Sequence, residues 1–262
     1  MTRLSLSGRI IEVQYRTCEL SVPEFLRFAH KCSYDAVELR ATQITGDTTL
    51  AEVRGFRRTA DELGLSVSCC APPGVTVDEE GLKRVEQSIS IVRTLCCDTL
   101  KVWVKDMDWL RQACDLVRPH GLTLIAQIHT GGPFETINSC LETLSQLGRE
   151  NFGLQYDPAN LFEAQQDYGE EAVKRLGPHI RQLSVQSERL ARPDEPDVWE
   201  YEGRRYRRCP LDDPGGLDYA SVFRGLRAVG FDGHVTLNEP KPMSMETGAF
   251  AKQMHDELRR WL

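Results

Sequence analysis

The sequence predicts one α/β domain in which eight strands alternate with eight helices and close into a (β/α)8 barrel. Three observations predict it. Short β-type runs and helical stretches alternate from end to end of the 262 residues, with no low-complexity linker and no charge block to divide them. The length suits one α/β barrel as well as it suits two smaller domains. A doubly wound open sheet is the competing architecture, but no Gly-x-Gly-x-x-Gly turn follows the first strand. The expected domain is therefore 1–262.

The first strand is read at 8–14 (GRIIEVQ), followed by a helix over 22–32. The second strand, 35–40 (DAVELR), carries Val37 and Leu39 on one face and Glu38 and Arg40 on the other. A helix over 48–63 ends at Gly64 and feeds the third strand, 65–70 (LSVSCC). After a helix over 79–96 comes the fourth, 99–104 (TLKVWV), with Val102 and Val104 opposed to Lys101, Trp103 and Lys105. The helix over 106–119 is closed by Gly121, and the fifth strand, 122–128 (LTLIAQI), presents Gln127 and His129 opposite Leu124, Ala126 and Ile128. A helix over 134–148 precedes the sixth strand, 152–157 (FGLQYD), which ends in Asp157. A helix over 160–176, closed by Gly177, leads to the seventh, 180–186 (IRQLSVQ), with Gln182, Ser184 and Gln186 on its polar face. The helix over 217–229, closed by Gly230, leads to the eighth, 233–238 (GHVTLN), with Thr236 and Asn238 on its polar face. A helix over 246–261 completes the chain. The one long irregular stretch, about 187–216, is expected to lie over the C-terminal face of the barrel.

In a barrel the apolar parity faces the helices and the other parity faces inward. Glu38, Trp103, Lys105, Gln127, His129, Asp157, Ser184, Gln186 and Asn238 are thus predicted to converge at the C-terminal strand ends, where active sites of this architecture lie. The competing reading is a satisfied polar layer. His120, His179 and His234 precede strands and His30 and His255 sit in helices, so only His129 reaches the catalytic face.

Composition removes several function classes. Lys plus Arg number 32 against 39 Asp plus Glu, a net charge of −7, which argues against a nucleic-acid partner. No apolar run is long enough to span a membrane. Nine scattered cysteines with no Cys-x-x-Cys spacing suit reduced thiols, and a cytoplasmic location is expected. Cys69 or Cys70 would need His129 as a base to act as a nucleophile, and inert burial is the plainer expectation.

Five segments in order carry a family resemblance: AHKCSYDAVELR, GLTLIAQIHTGG, NFGLQYDPANLF, GPHIRQLSVQSE and YRRCPLDDPGGLDYASVFRGLRAVGFDGHVTLNEP. Together they resemble the xylose-isomerase-like TIM barrels, which include sugar-phosphate isomerases and epimerases, hydroxypyruvate isomerase and inosose dehydratase. The resemblance implies a divalent cation (Mn, Mg, Co or Zn) held by a strand-five Glu, a strand-six Asp, a strand-seven His and a strand-eight Glu. It implies proton transfer next to a carbonyl that the cation polarises. At those four positions this chain has Gln127, Asp157, Ser184 and Asn238, and Gln186 and Ser187 stand where the family has a lysine and a second acid. Amides and a hydroxyl bring no negative charge and cannot accept a proton at neutral pH, so a tight divalent site on this quartet is not expected. The cation is therefore expected to be weakened or lost, and no cofactor is assigned. A rearranged metal site of His129, Asp157 and Glu239 is the alternative, although strand parity turns Glu239 outward.

The first expectation is an isomerase- or epimerase-like enzyme acting on a sugar, sugar phosphate, sugar acid or cyclitol. His129, Asp157 and Lys105 would be its acid–base groups. Glu38, Trp103, Gln127, Ser184, Gln186 and Asn238 would hold a small polyhydroxylated substrate. Two other readings stand beside it: a non-catalytic barrel binding a polyol or a protein partner, and a dehydratase or lyase built around His129 and Glu239. A homodimer or homotetramer fits the resemblance. Lys105 has a competing role as a solvent-facing lysine, Glu38 as the ion-pair partner of Arg40. Arg204, Arg205, Arg207 and Arg208 around Tyr206 read foremost as a solvated loop face near Glu200 and Glu202, with anion binding or a dimer contact as alternatives.

Overall fold

A computed structural model describes residues 2–71, 76–240 and 245–262. Eight parallel strands close into a barrel: β1 (Arg3–Ser7), β2 (Ala36–Leu39), β3 (Ser66–Cys70), β4 (Thr99–Lys101), β5 (Thr123–Gln127), β6 (Phe152–Tyr156), β7 (Ile180–Val185) and β8 (His234–Leu237). Each pairs with its sequence neighbours, and β1 closes the ring by placing Leu6 beside both Val37 and Leu237. Helices α1 (Val22–Lys31), α2 (Leu50–Glu62), α3 (Glu79–Thr94), α4 (Met107–Val117), α5 (Ile137–Leu147), α6 (Pro158–Glu163), α7 (Glu170–Leu176), α8 (Tyr219–Ala228) and α9 (Thr247–Arg259) lie between or after the strands. The apolar core fills the space between sheet and helices, with Leu4, Leu6, Val37, Leu124, Leu154, Leu183 and Val235 on the outer strand faces, all fully buried.

Local chemistry starts the helices where they start. Ser21 and Thr49 form capping boxes with Glu24 and Glu52, and Asp78 and Asp106 accept the first free backbone N–H groups of α3 and α4. Gly64, Gly121 and Gly230 adopt positive φ after helices, as their positions predict. Gly177 does not. Its φ is −41°, and a Cβ there would lie 2.7 Å from Val229 Cγ1, so close packing rather than left-handed geometry requires it.

Four expected elements are corrected. The first barrel strand is Arg3–Ser7, not 8–14. Its Leu-Ser-Leu-Ser alternation sends Leu4 and Leu6 to the helices and Ser5 and Ser7 to the axis, whereas the adjacent apolar pair Ile10 and Ile11 lies in a buried 3-10 turn. The fourth strand ends at Lys101. The helix over 160–176 is two helices, α6 and α7, with Gln165 at positive φ between them. The stretch 187–216 is only partly irregular. It forms an antiparallel sheet of Glu188–Leu190, Arg204–Arg208 and Val198–Tyr201, whose hairpin turns at Glu202 and Gly203, both at positive φ.

Inside the barrel the side chains are polar and joined. Ser5 Oγ lies 2.7 Å from Ser68 Oγ, and Gln182 donates to the Ser68 carbonyl at 2.8 Å. One Gln155 amide nitrogen donates to Gln182 Oε1 at 3.0 Å and to Glu38 Oε2 at 2.8 Å. Ser7 donates to Glu38 Oε1 at 3.1 Å, and the Lys101 ammonium stands 3.6 Å from the same oxygen.

Gly153 lets β6 meet β7 closely: a Cβ there would be 2.4 Å from Arg181 Cγ and 2.9 Å from the His179 carbonyl oxygen. Gly153→Ala is expected to lower unfolding free energy by about 1–3 kcal/mol in urea denaturation, through overpacking that β6 cannot relieve without shifting.

Candidate active site

A cavity of about 320 Å³ opens at the C-terminal strand ends. One wall is cationic. Arg9, from the turn after β1, stacks on Tyr15 with its guanidinium carbon 4.0 Å from the ring centre. Arg40, after β2, holds Glu12 at 3.0 Å, and Thr42 donates to the other Glu12 oxygen at 2.7 Å. Lys101, at the end of β4, completes the wall. The opposite side is formed by Gln127, His129, Gln186 and Asn238. Trp103, 59% exposed, stands edge-on to His129 with ring centres 5.2 Å apart. It separates this cavity from a second of about 350 Å³ that Lys105, Gly131 and Phe134 help to line. Grooves of about 490 and 500 Å³ open at the other end of the barrel, where Arg149 pairs with Asp115 at 2.8 Å, but they hold none of the predicted site residues.

The predicted set divides. Trp103, Gln127, His129, Gln186 and Asn238 line the cavity. Glu38, Asp157 and Ser184 lie beneath, fully buried. Lys105 is exposed and lines only the second cavity, and the lysine of the main pocket is Lys101. Glu38 pairs with Lys101 at 3.6 Å, while Arg40 is engaged by Glu12. Burial pushes the Glu38 carboxyl up, but Lys101, Arg40 and the hydrogen bonds from Gln155 and Ser7 outweigh it and hold the group below its ordinary range. Arg9, Glu12 and Tyr15 escaped prediction because 8–14 was read as a strand. The Leu-Ser alternation of 3–7 was the signal that would have freed those residues to serve as a loop over the pocket.

His129 follows β5, and its Nδ1 lies 3.0 Å from the Thr130 carbonyl oxygen. A carbonyl oxygen only accepts, so the neutral tautomer that satisfies this contact, shorter than the 3.4 Å to the Thr130 hydroxyl, carries its proton on Nδ1 and keeps a lone pair on Nε2. Cys69 and Cys70 are buried, and burial raises both thiols, Cys70 to about 12, which leaves neither as a nucleophile near neutral pH.

Asp157 is saturated. Its Oδ1 accepts from the backbone N–H groups of Ala159 and Asn160, both at 3.1 Å, and so caps α6. Its Oδ2 accepts from the amide nitrogens of Gln127 at 2.5 Å and Gln186 at 2.8 Å. Asn238 donates to Ser184 Oγ at 3.2 Å, and its own Oδ1 has no hydrogen-bond partner among the described residues. The donors that the resemblance would require for a divalent cation are therefore not supplied: the one carboxylate of the quartet has spent its oxygens on N–H groups. Glu239 does not join His129 and Asp157. It accepts from the Ser187 backbone N–H and lies 3.7 Å from Arg208. Among the described residues no three His, Cys, Asp or Glu side chains form a metal-holding group.

Arg208 is the residue that sequence reasoning placed least well. Rather than facing solvent near Glu200 and Glu202, it reaches Glu188 at 3.2 Å and donates to Gln186 Oε1 at 2.9 Å, above the Trp199 ring at 4.9 Å. Tyr206 is fully buried and donates to the Glu163 carbonyl at 3.1 Å, Arg207 pairs with Glu195, and Arg204 and Arg205 are exposed. The alternation visible in Arg204–Arg208 was the missed signal. Burial raises Glu239, although Arg208 opposes it, and raises Glu163 against a hydrogen bond from Trp199. Burial lifts Glu188 to about 9, with Arg208 opposing and Glu163, Asp157 and Glu239 adding to the shift.

A family model described as "Xylose isomerase-like TIM barrel" matches residues 26–262. No curated protein matches the sequence. Among solved structures, D-psicose 3-epimerase in the presence of D-fructose is 14% identical, with a TM-score of 0.78 over 100% of this chain and 99% of that one. The probable 3-DHS dehydratase AsbF of Bacillus anthracis is 15% identical, with a TM-score of 0.73 over 98% and 99%. The IOLI protein with a bound zinc atom is 15% identical, with a TM-score of 0.71 over 98% and 96%. At these identities the likeness is one of fold.

Glu188 supplies a test of the acid cluster. Its carboxyl stays protonated in the folded protein up to about 9 and ionises near 4.5 when unfolded. Its stabilisation is then fully present below 4.5 and is lost as pH rises toward 9. Urea unfolding from pH 5 to 9 is expected to show a decline, at most about 1.4 kcal/mol per pH unit, that Glu188→Gln flattens. An equal decline in both proteins would show that Glu188 does not ionise late.

Proposed function

The chain belongs to the xylose isomerase-like TIM barrel family, and on that premise we propose that it is an isomerase or epimerase. Its substrate is a polyhydroxylated carbonyl compound, and it moves a proton at the carbon beside the carbonyl without the divalent cation of its relatives. The observation that carries the reading is His129 and Lys101 on one cavity, with the Nδ1 proton of His129 turned to Thr130 and the Lys101 ammonium held by Glu38. His129 Nε2 takes the proton. Lys101, backed by Arg40, faces the enolate oxygen that develops, an electrostatic role that a cationic wall fills as oxyanion donors do. Returning the proton from His129 to the neighbouring carbon on the same face, while the Lys101 ammonium passes a proton between the two oxygens, gives isomerisation; epimerisation takes its new proton on the other face from water entering the open cavity. Gln127, Gln186 and Asn238 orient hydroxyls, with the unpartnered Asn238 Oδ1 as an acceptor, and the exposed Trp103 offers its ring to a sugar face. Asp157 is left out of the proton transfer because all its hydrogen bonds are made.

The cationic wall also favours an acidic substrate. Arg9, Arg40 and Lys101 face two carboxylates, Glu12 and Glu38, which leaves one positive charge for a substrate carboxylate or phosphate. A second reading is elimination of water after the same proton abstraction, supported by the likeness to a probable dehydratase.

The test is solvent exchange. Neutral sugars, sugar acids and sugar phosphates are incubated with the protein in D2O containing EDTA and followed by proton NMR. Deuterium is expected beside the carbonyl of an acidic substrate, with a rate that His129→Ala lowers by about 10²–10⁴-fold. Lys101→Ala is expected to slow exchange while His129→Ala retains binding. New vinylic signals would select elimination. Binding without exchange, or exchange undiminished in His129→Ala, would overturn the reading in favour of a binding barrel or another base.

A further inference from the structure

The hydrogen bonds at Asp157 carry an inference that does not depend on the reaction. We propose that the amide nitrogens of Gln127 and Gln186, with Gln186 aimed by Arg208, stand in for the divalent cation at this position. The lone pairs that a cation would take are met here by neutral N–H donors of the chain itself.

A buried carboxylate needs either a cation or a full set of hydrogen-bond donors. Asp157 Oδ2 receives two N–H donors, at 2.5 and 2.8 Å, while its Oδ1 is held by backbone N–H groups. A carboxamide can turn either end toward a neighbour, and only the nitrogen end stabilises an anion. At Gln186 the choice is fixed, because its oxygen accepts from Arg208 Nη2 at 2.9 Å. Arg208 is in turn fixed by Glu188, Glu239 and the Trp199 ring. A hydrogen-bond relay therefore runs from the Arg208 guanidinium through the neutral Gln186 amide to Asp157, and it fixes the amide dipole with its nitrogen toward the carboxylate. Arg208 is a positioning residue in this chain.

The spacing makes the exchange concrete. Ligand oxygens at right angles around a small divalent ion, with bonds of about 2.1 Å, lie about 3 Å apart. The two amide nitrogens already lie near that distance from Asp157 Oδ2. Gln127→Glu with Gln186→Glu would put three carboxylates there with no protons between them. They would repel unless a cation took the position the protons hold now.

Melting temperature and isothermal titration with Mn2+ test this on the whole chain. Wild type is expected to show no stoichiometric Mn2+ binding and no response to chelator. The double variant is expected to melt below wild type in EDTA and to recover with Mn2+. Its Mn2+ affinity should be at least about a hundredfold tighter, as ligand charge sets affinity. Adding Arg208→Met to the double variant should tighten it further, because the guanidinium no longer competes for Glu at position 186. Stoichiometric Mn2+ in wild type overturns the proposal, and so does a double variant indifferent to Mn2+, whatever its stability. If the double variant cannot be isolated, Gln127→Glu alone is read by the same two outcomes.

Discussion

Burying a carboxylate inside a parallel barrel requires that every oxygen lone pair face a donor or a cation, and two such groups organise this molecule. Glu38 lies on the axis, and the inward side chains of β1, β4 and β6 converge on it: Ser7, Lys101 and Gln155. Through Gln155, Gln182 and Ser68 the same web reaches β7 and β3. Removing one partner would leave charge unpaired at a fully buried position, which costs more than the missing bond itself. The interior is thus one connected polar structure rather than a set of independent contacts. Lys101 gains its fixed place on the pocket wall by serving that structure.

Strand–helix alternation was legible because each strand advertises two faces. Val37, Leu154, Leu183 and Val235 mark the helix side, and the opposite parity carries Gln127, Gln186 and Asn238 to the cavity wall, with Asp157 buried beneath them. What was lost was lost for local reasons. Ile10 and Ile11 resemble a strand in hydropathy while folding as a turn, and that one shift hid Arg9, Glu12 and Tyr15. Lys101 and Arg208 were hidden differently. Their roles depend on partners far along the chain, Glu38 in one case and Glu239 and Gln186 in the other, and no spacing rule in a single sequence reports such pairs.

The small sheet within 188–208 meets the barrel through Arg208, which donates to Gln186, while Arg204 and Arg205 stay exposed. Tyr206 packs against Trp199 and Phe162, with ring centres 6.2 and 5.6 Å apart, and Trp199 donates to Glu163 at 2.8 Å. Tyr201 donates to Glu135, beyond β5, so the same small sheet also touches the approach to the second cavity. With Arg208 bound to Gln186, the cover over this side of the barrel is held by both apolar packing and charge.

Of the four positions that carry ligands in the resemblance, only Asp157 is still an acid, and α6 accounts for this without any chemistry. Of the other three, Gln127 donates to Asp157 and Asn238 donates to Ser184. Asp157 alone starts a helix, with one oxygen on the backbone of Ala159 and Asn160. The helix therefore requires this carboxylate whatever the pocket does. The residue that looks most like a remnant of catalysis is thereby the one whose persistence says least about it. Gln127, Ser184 and Asn238 cap no helix, so their side chains answer to the pocket alone.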